Sequence, residues 1–530
     1  MSDKKFFETD SVILDEKNVK PKFHFSCPKG WMNDPNGFSF FNGEFHLYYQ
    51  HYPFDTKWGP MHWGHATSKD LLHWTDQPIA LYPESLCDNQ GCFSGTALTE
   101  NDHQILIYTG VTKNPANTDE NIQQQCIAIN DGKTFSKLPQ NPVIRSSDVK
   151  TPFRITDFRD PKIFKDGSVY YCASVIMKND GNGAIALFSS TDLIQWKFLN
   201  IIAETNGEMG GMWECPDFFT LDGKDIIIVS PQSVNACDQK GFHDGNNSVY
   251  MTGILDKTSF TFKTDTRKEN NFYAAEIDYG IDFYAPQTML SPDGRRIMIA
   301  WLQAWESYIT PKDHTWSGMM TMPRELVLKN NCLIQRPVKE YEEMIANCPS
   351  ISGKISAYSL SSDYDKITCH NNSETILTFG NISYPQCELN VKFTLPKNTI
   401  SESYISPNLS ESAKGTYDDS EKLLITVYDD NECYVNFTLN ISKMQLTFDR
   451  SHSINNGGAI NNRSINVKQQ DDGSLKFRFI FDTYSCETFI NNGEKTFTNA
   501  YFLNQTVRKI KVQAKLKCGF EYKFIHFNDM

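Results

Sequence analysis

"NDPNGFSFFNGEFHLYYQ", residues 33–50, sets an acid, Asp34, against a proline and then places β-rich runs on either side of an Asn-Gly pair. Asx-Gly between such runs is the strongest short-range hairpin signal, because both residues tolerate the positive φ of a type I′ turn. The arrangement returns in "RDPKIFKDGSVYYCAS" from Arg159 and in "ECPDFFTLDGKDIIIVS" from Glu214. Two further stretches share it with other residues at the acid's place: "SGTALTENDHQILIYTG" from Ser94 and "YAPQTMLSPDGRRIMIAWL" from Tyr284. One hairpin is written five times.

The turn positions are Asn42, Asn101, Asp166, Asp222 and Asp293, at successive spacings of 59, 65, 56 and 71 residues. Each period has room for a four-stranded antiparallel sheet, the size of a propeller blade. A second echo, "SKDLLHW" at 68–74 and "STDLIQW" at 190–196, predicts that an outer-strand element repeats as well. In a propeller the first strand of each blade lines the central channel, and the residue that opens it faces the channel mouth. Asp34, Asp160 and Glu214 are therefore expected at equivalent blade positions around one mouth. Proline is tolerated there, because a strand's first residue gives up no ladder hydrogen bond.

The pattern runs to about Val338, where "LIQRPVKEYEEMIANCPSISG" supplies a charged helical connector and then a break. Beyond it come short alternating runs such as "LLITVYDD", "CYVNFTLN", "LKFRFIFD" and "KIKVQAKL", spaced as in an antiparallel sandwich. The reading is all-β, with a tail at 1–20, a five-bladed propeller at 21–340, a linker at 341–354 and a β-sandwich at 355–530. The sandwich carries no acid–proline motif and reads as an accessory module.

A chain of 530 residues with 39% hydrophobic residues is an ordinary globular protein of more than one domain. Its net charge of −13, without a basic run, excludes a polyanionic partner such as nucleic acid. No stretch approaches the ~18 apolar residues of a membrane span, and the N-terminal residues lack a signal-like apolar core, so the expectation is a cytoplasmic protein with no membrane partner. Fourteen cysteines without a CxxC pair give no zinc-ribbon or redox motif. "MHWGH" sets His62 and His65 three apart on strand-like flanks, a weak metal signal. There is no GxxxxGK[ST] loop for a nucleotide. No metal and no cofactor is expected, and the sequence sets no oligomeric state.

Carboxylates crowded at one mouth raise one another's pKa unequally. Glycosidic cleavage needs that inequality, one acid protonated for the leaving group and one ionised for the anomeric carbon. The partner implied is a small carbohydrate, and the abundant aromatics suit stacking on sugar rings.

"WMNDPNG" (31–37), "FSG" (93–95), "FRDPK" (158–162) and "WECPD" (213–217) resemble the signature set of glycoside hydrolase family 32, the invertases and other β-fructofuranosidases. "YYQHYPFDTKWGPMHWGHATSKDLLHW" and "DYGIDFYAPQT" (278–288) are similar to further family segments, so the resemblance covers essentially the whole chain. It implies a five-bladed propeller, a C-terminal sandwich and cleavage with retention at the fructosyl carbon. Asp34 would be the nucleophile and Glu214 the general acid, then base. Asp160 would stay ionised on the fructosyl hydroxyls with Arg159 beside it. Asn33, Gln50, Trp58, Phe93 and Ser94 match positions shaping the fructose pocket, and Trp31 would wall it. Ile281 stands where some plant members carry a lysine. Cys215 matches the family and is given no chemistry of its own.

The implied activity is hydrolysis of sucrose or a related short fructoside. The alternatives are a fructosyltransferase using the same acids, or a carbohydrate-binding propeller without turnover.

Overall fold

The computed structural model describes residues 19–237, 240–267, 272–310, 313–355, 375–379, 386–395, 421–429, 433–454, 460–503, 509–516 and 518–527. Most of the tail expected at 1–20 lies outside the described residues. Five antiparallel sheets come first, here blades I to V, and two six-stranded sheets follow. The blades open on the strands Gly30–Phe41, Gly91–Glu100, Phe153–Asp166, Trp213–Leu221 and Tyr284–Leu290. These first strands pack each on the next, and the last packs on the first. The ring is locked where Trp316–Ser317 joins blade I in parallel beside Gly30–Trp31.

The five repeated hairpins are the first two strands of the five blades. Phe41 pairs with Glu44, Glu100 with His103 and Leu221 with Lys224, leaving two-residue loops. Asn42, Asn101 and Asp222 enter those loops at φ near +50° (49°, 48° and 49°), as an Asx-led type I′ turn requires. Two turns differ from the sequence reading. Asp166 is itself the last paired residue, opposite Val169, so the loop is Gly167–Ser168. In blade V Leu290 pairs with Arg296, and Asp293 sits in a longer loop where Ser291 and Arg295 close the turn.

The second echo folds twice into one turn. Asp70 Oδ1 accepts the N–H groups of Leu72 and His73, and Trp74 Nε1 donates to Leu71 O at 3.0 Å. Asp192 does the same for Ile194 and Gln195, with Trp196 Nε1 to Leu193 O at 3.0 Å. Leu71 and Leu193 share φ +66°. Each turn joins the third and fourth strands of its blade.

The two later sheets enclose one apolar core, in which Leu389, Phe393 and Phe477 of one face meet Ile425, Phe437 and Val512 of the other. Their inward and outward residues alternate along Lys422–Tyr428 and Tyr434–Asn440, as the runs predicted. The charged connector is the helix Lys339–Ile345. Sheet pairing begins earlier than read: Ser350–Ile355 already pairs with Phe520–His526, inside the segment taken as linker. An edge strand is specified by backbone pairing more than by apolar pattern, and Ile351 is indeed 60% exposed.

Candidate active site

Every first strand slips register near its opening. The ladder shifts between Met32 and Pro35, Phe93 and Gly95, Arg159 and Lys162, Glu214 and Asp217, and Tyr284 and Gln287. These are β-bulges, which turn one side chain out of the ladder and toward the rim of a sheet. Asp160, Cys215 and Ala285 occupy the bulges at φ +57°, +46° and +53°. A non-glycine residue held there costs on the order of 1–3 kcal/mol, a strain typical of functional sites. Blade II places Gly95 where the other blades place proline. A Cβ there would lie 2.0 Å from Ile107 O, so the close approach of the second strand excludes any side chain.

This register corrects one expectation. Asp34, Ser94, Asp160, Cys215 and Ala285 are the equivalent residues, and Glu214 stands one place earlier, with Arg159, Phe93 and Tyr284. The sequence reading counted from acid to proline and so matched Glu214 to Asp34. The bulge lets both positions reach the same mouth.

A cavity of about 380 Å³ opens there, lined by Asn33, Asp34, Gln50, Trp58, Phe93, Ser94, Arg159, Asp160 and Glu214. Nine of the residues singled out from sequence are thus brought together. Trp31 is the exception: it is 1% exposed and stands behind the wall, donating Nε1–H to Asn33 Oδ1 at 2.7 Å and stacking on Trp305. Three lining residues were missed, Gln123, Gln232 and Trp305. Tyr284, also missed, was within reach, since the fifth repeat carries it at the register of Glu214. Trp305 lies in a loop outside the repeat and left no signal.

The three carboxylates are held differently. Asp34 Oδ2 accepts the Ser94 hydroxyl at 2.6 Å and the Cys215 thiol at 3.3 Å, and Oδ1 accepts Asn33 Nδ2 at 3.0 Å. Glu214 takes Arg159 on one oxygen, from Nη2 at 3.0 Å and Nε at 3.2 Å. Its other oxygen takes the Tyr284 hydroxyl at 2.7 Å and Gln232 Nε2 at 2.8 Å. Asp160 Oδ2 accepts the Cys215 N–H at 2.9 Å. Arg159 was expected to serve Asp160, but it stands 3.9 Å from that carboxylate and spends its donors on Glu214 and Asp157. Cys215 bridges Asp34 and Asp160, and burial holds its thiol far above the usual range, so it remains a donor.

Burial pushes the Asp34 carboxyl up, and the charge of Glu214 adds to that, against the hydrogen bonds from Ser94, Asn33 and Cys215. Burial likewise lifts Asp160; Arg159 opposes it, the charges of Glu214 and Asp34 reinforce it, and it stands at about 7. Three residues raised from sequence belong elsewhere. Ile281 is 2% exposed in the sandwich core, and His65 bonds the His46 ring while His62 bonds Pro60 O.

A ring of five blades with three unequal carboxyl groups in one sugar-sized, aromatic-walled cavity is the equipment of a glycoside hydrolase that works with paired acids. Residues 24–337 match the Glycosyl hydrolases family 32 N-terminal domain, and 356–523 match the Glycosyl hydrolases family 32 C terminal. The chain belongs to glycoside hydrolase family 32. It is 34% identical over 499 residues to a sucrose-6-phosphate hydrolase of Escherichia coli, covering 93% of this chain and 91% of that one. A raffinose invertase of Escherichia coli is 38% identical over 335 residues, 63% of this chain and 67% of the relative. Among solved structures, a Bombyx mori GH32 β-fructofuranosidase superposes with a TM-score of 0.75 at 29% identity, covering 96% of this chain and 94% of the other.

Proposed function

We propose that the protein is a retaining β-fructofuranosidase that hydrolyses the terminal fructosyl bond of sucrose or a related short fructoside. The observation that carries this reading is the unequal holding of Asp34, Asp160 and Glu214 around one cavity. Asp34 attacks the anomeric carbon with its carboxylate, poised by the Ser94 and Asn33 donors. Glu214 protonates the departing oxygen and then deprotonates the water that releases fructose. Arg159, Gln232 and Tyr284, from three blades, fix the direction in which Glu214 can deliver that proton.

Asp160 accepts sugar hydroxyls, and its hold strengthens as positive charge grows on the ring. A bound fructosyl unit supplies Asp34 and Asp160 with hydroxyl donors in place of the water that burial removed. Their ionised forms are then favoured, as the double displacement needs. In the free enzyme the raised Asp34 and Asp160 carboxyls place the acidic limb of kcat/KM above the ordinary carboxylate range.

The test is product analysis on sucrose, sucrose 6-phosphate, raffinose and inulin. Equimolar fructose and leaving sugar, with fructose first appearing in the substrate's anomeric form, supports the reading. Longer fructosides growing at the expense of free fructose point to transfer, an inverted first product removes the covalent step, and no turnover on any of the four overturns the proposal.

A further inference from the structure

The sandwich, which the sequence presents as an accessory module, reaches the active site through one guanidinium. Arg450 follows the strand Gln445–Asp449 and is wholly buried, so its donors must all be met within the protein. Its Nε donates to Ile460 O and one Nη1 hydrogen to Ala500 O, both at 2.9 Å and both within the sandwich. The remaining bonds cross to the propeller: Nη1 to Asp282 Oδ2 and Nη2 to Ser307 O, each at 2.9 Å.

Those two partners carry site residues. Asp282 lies two residues before Tyr284, whose hydroxyl reaches Glu214 Oε2 at 2.7 Å. Ser307 lies two residues after Trp305, which lines the cavity and stacks on Trp31. The two segments are tied to each other as well, since the Ser307 hydroxyl lies 3.2 Å from Asp282 Oδ1 and from Ile281 O. The segment before Tyr284 runs along the sandwich strand Lys495–Ala500, with Tyr279 N–H on Thr496 O and Asp282 N–H on Thr498 O. Gly280 sits so close that a Cβ would lie 1.8 Å from Thr498 O.

We infer that Arg450 is a positioning residue for the reaction proposed above, clamping the segments that carry Tyr284 and Trp305 so that Glu214 and the sugar-facing wall keep their relative places. The inference rests on that functional reading. A misplacement of about 1 Å far from the chemistry can cost on the order of a hundredfold. The loss should concentrate where the Glu214 proton is needed.

The experiment measures, for Arg450→Met, Asp282→Asn and Ser307→Ala, kcat and KM on sucrose and the single-turnover rate of fluoride release from β-fructosyl fluoride, a first step that needs no proton and precedes the water step Glu214 also serves. Concentrations are corrected for folded protein, and Tm is recorded. Expected is a fall of about tenfold or more on sucrose for Arg450→Met, with less than about threefold on the fluoride. Ser307→Ala, which keeps the Arg450 bond to its carbonyl, should show the same imbalance on a smaller scale. Should Arg450→Met fail to fold, the Ser307→Ala and Asp282→Asn ratios decide. Equal falls on both substrates, or no change in any folded variant, would make Arg450 a structural tie only. A wild type inactive on both substrates would instead sink the functional reading itself.

Discussion

Where propeller meets sandwich, Asp482 and Glu487 are buried side by side, and each faces a cation. His24 bridges them at 2.8 Å on both ring nitrogens, and Arg324 grips Glu487 at 2.6 Å. Burial alone would raise these acids, yet His24, Arg324 and backbone N–H groups reverse it, taking Asp482 to about 2 and Glu487 below its usual value. Against burial, the hydrogen bonds to those acids lift His24 to about 9. In the cavity the same ingredient behaves the other way. One guanidinium serves three carboxyl groups and turns toward Glu214, leaving Asp34 and Asp160 raised. At the interface two cations bridge three buried acids and hold Asp482 and Glu487 below their usual values, whereas in the cavity one cation among three leaves two raised, the kind of perturbation that marks a candidate functional group.

Deleting chemistry from the cavity is the harshest way to break this comparison. Asp34→Ala and Glu214→Ala should each lose on the order of 10⁴-fold or more in kcat on sucrose, with the fold retained. Glu214→Ala should regain its first step on β-fructosyl fluoride, and Asp34→Ala should not, because nothing replaces a missing nucleophile. Activity of Asp34→Ala on the fluoride, with loss in Glu214→Ala, would exchange the two roles.

At the interface the effect should fall on stability instead. Arg324→Met leaves Asp278 without its cation and Glu487 with His24 alone, both acids 0% exposed. Removing one partner of such a buried pair costs about 3–5 kcal/mol. Denaturant unfolding should show the loss. An unchanged midpoint would mean that the interface is not held by its charges.

Asp160→Asn should lie between these. It keeps the shape and the Cys215 N–H contact but cannot answer developing charge, so kcat should drop on the order of 10²–10³-fold. A variant within a few-fold of wild type would reduce Asp160 to a bulge residue.

How much of this could be read in advance follows from where the information lies. The five hairpins were legible because Asx-Gly turns and period-2 runs are local, and the "DLLHW" echo because its turn is closed by its own aspartate and tryptophan. Asp34, Asp160 and Glu214 were legible as a repeated motif, yet the one-residue offset of Glu214 was not, since a bulge changes register without changing composition. Gln232 and Trp305 come from loops whose placement depends on contacts with distant parts of the chain. The link through Arg450 was invisible for the same reason: Asp282 and Arg450 are 168 residues apart.

The smallest effect is also the one whose sign separates the two regions. Burial, reinforced by the charges of Glu214 and Asp34, lifts the Asp160 carboxyl in the folded protein from its ordinary 3.8 to about 7. Below about pH 4 both states hold the proton, so its charge costs nothing. Between pH 4 and 7 the unfolded chain releases the proton and the folded one keeps it, so wild-type stability falls as pH rises. Asp160→Asn removes that burden. It should therefore be more stable than wild type, by a margin that grows from pH 4 to 7 and then levels. That margin is on the order of 1 kcal/mol or more, because each tenfold change in proton affinity is worth about 1.4 kcal/mol. Asp482 has the opposite sign, with a folded pKa of about 2 below its ordinary 3.8. Its contribution is whole above about pH 4 and is lost as pH falls through 2, so Asp482→Asn should be less stable than wild type from about pH 4 up to about 9, where His24 gives up its proton. Tm differences at pH 4.5, 6 and 8 read both. Asn at 160 that destabilises at pH 8, or Asn at 482 that stabilises at pH 6, would show that the cavity and the interface hold their acids alike.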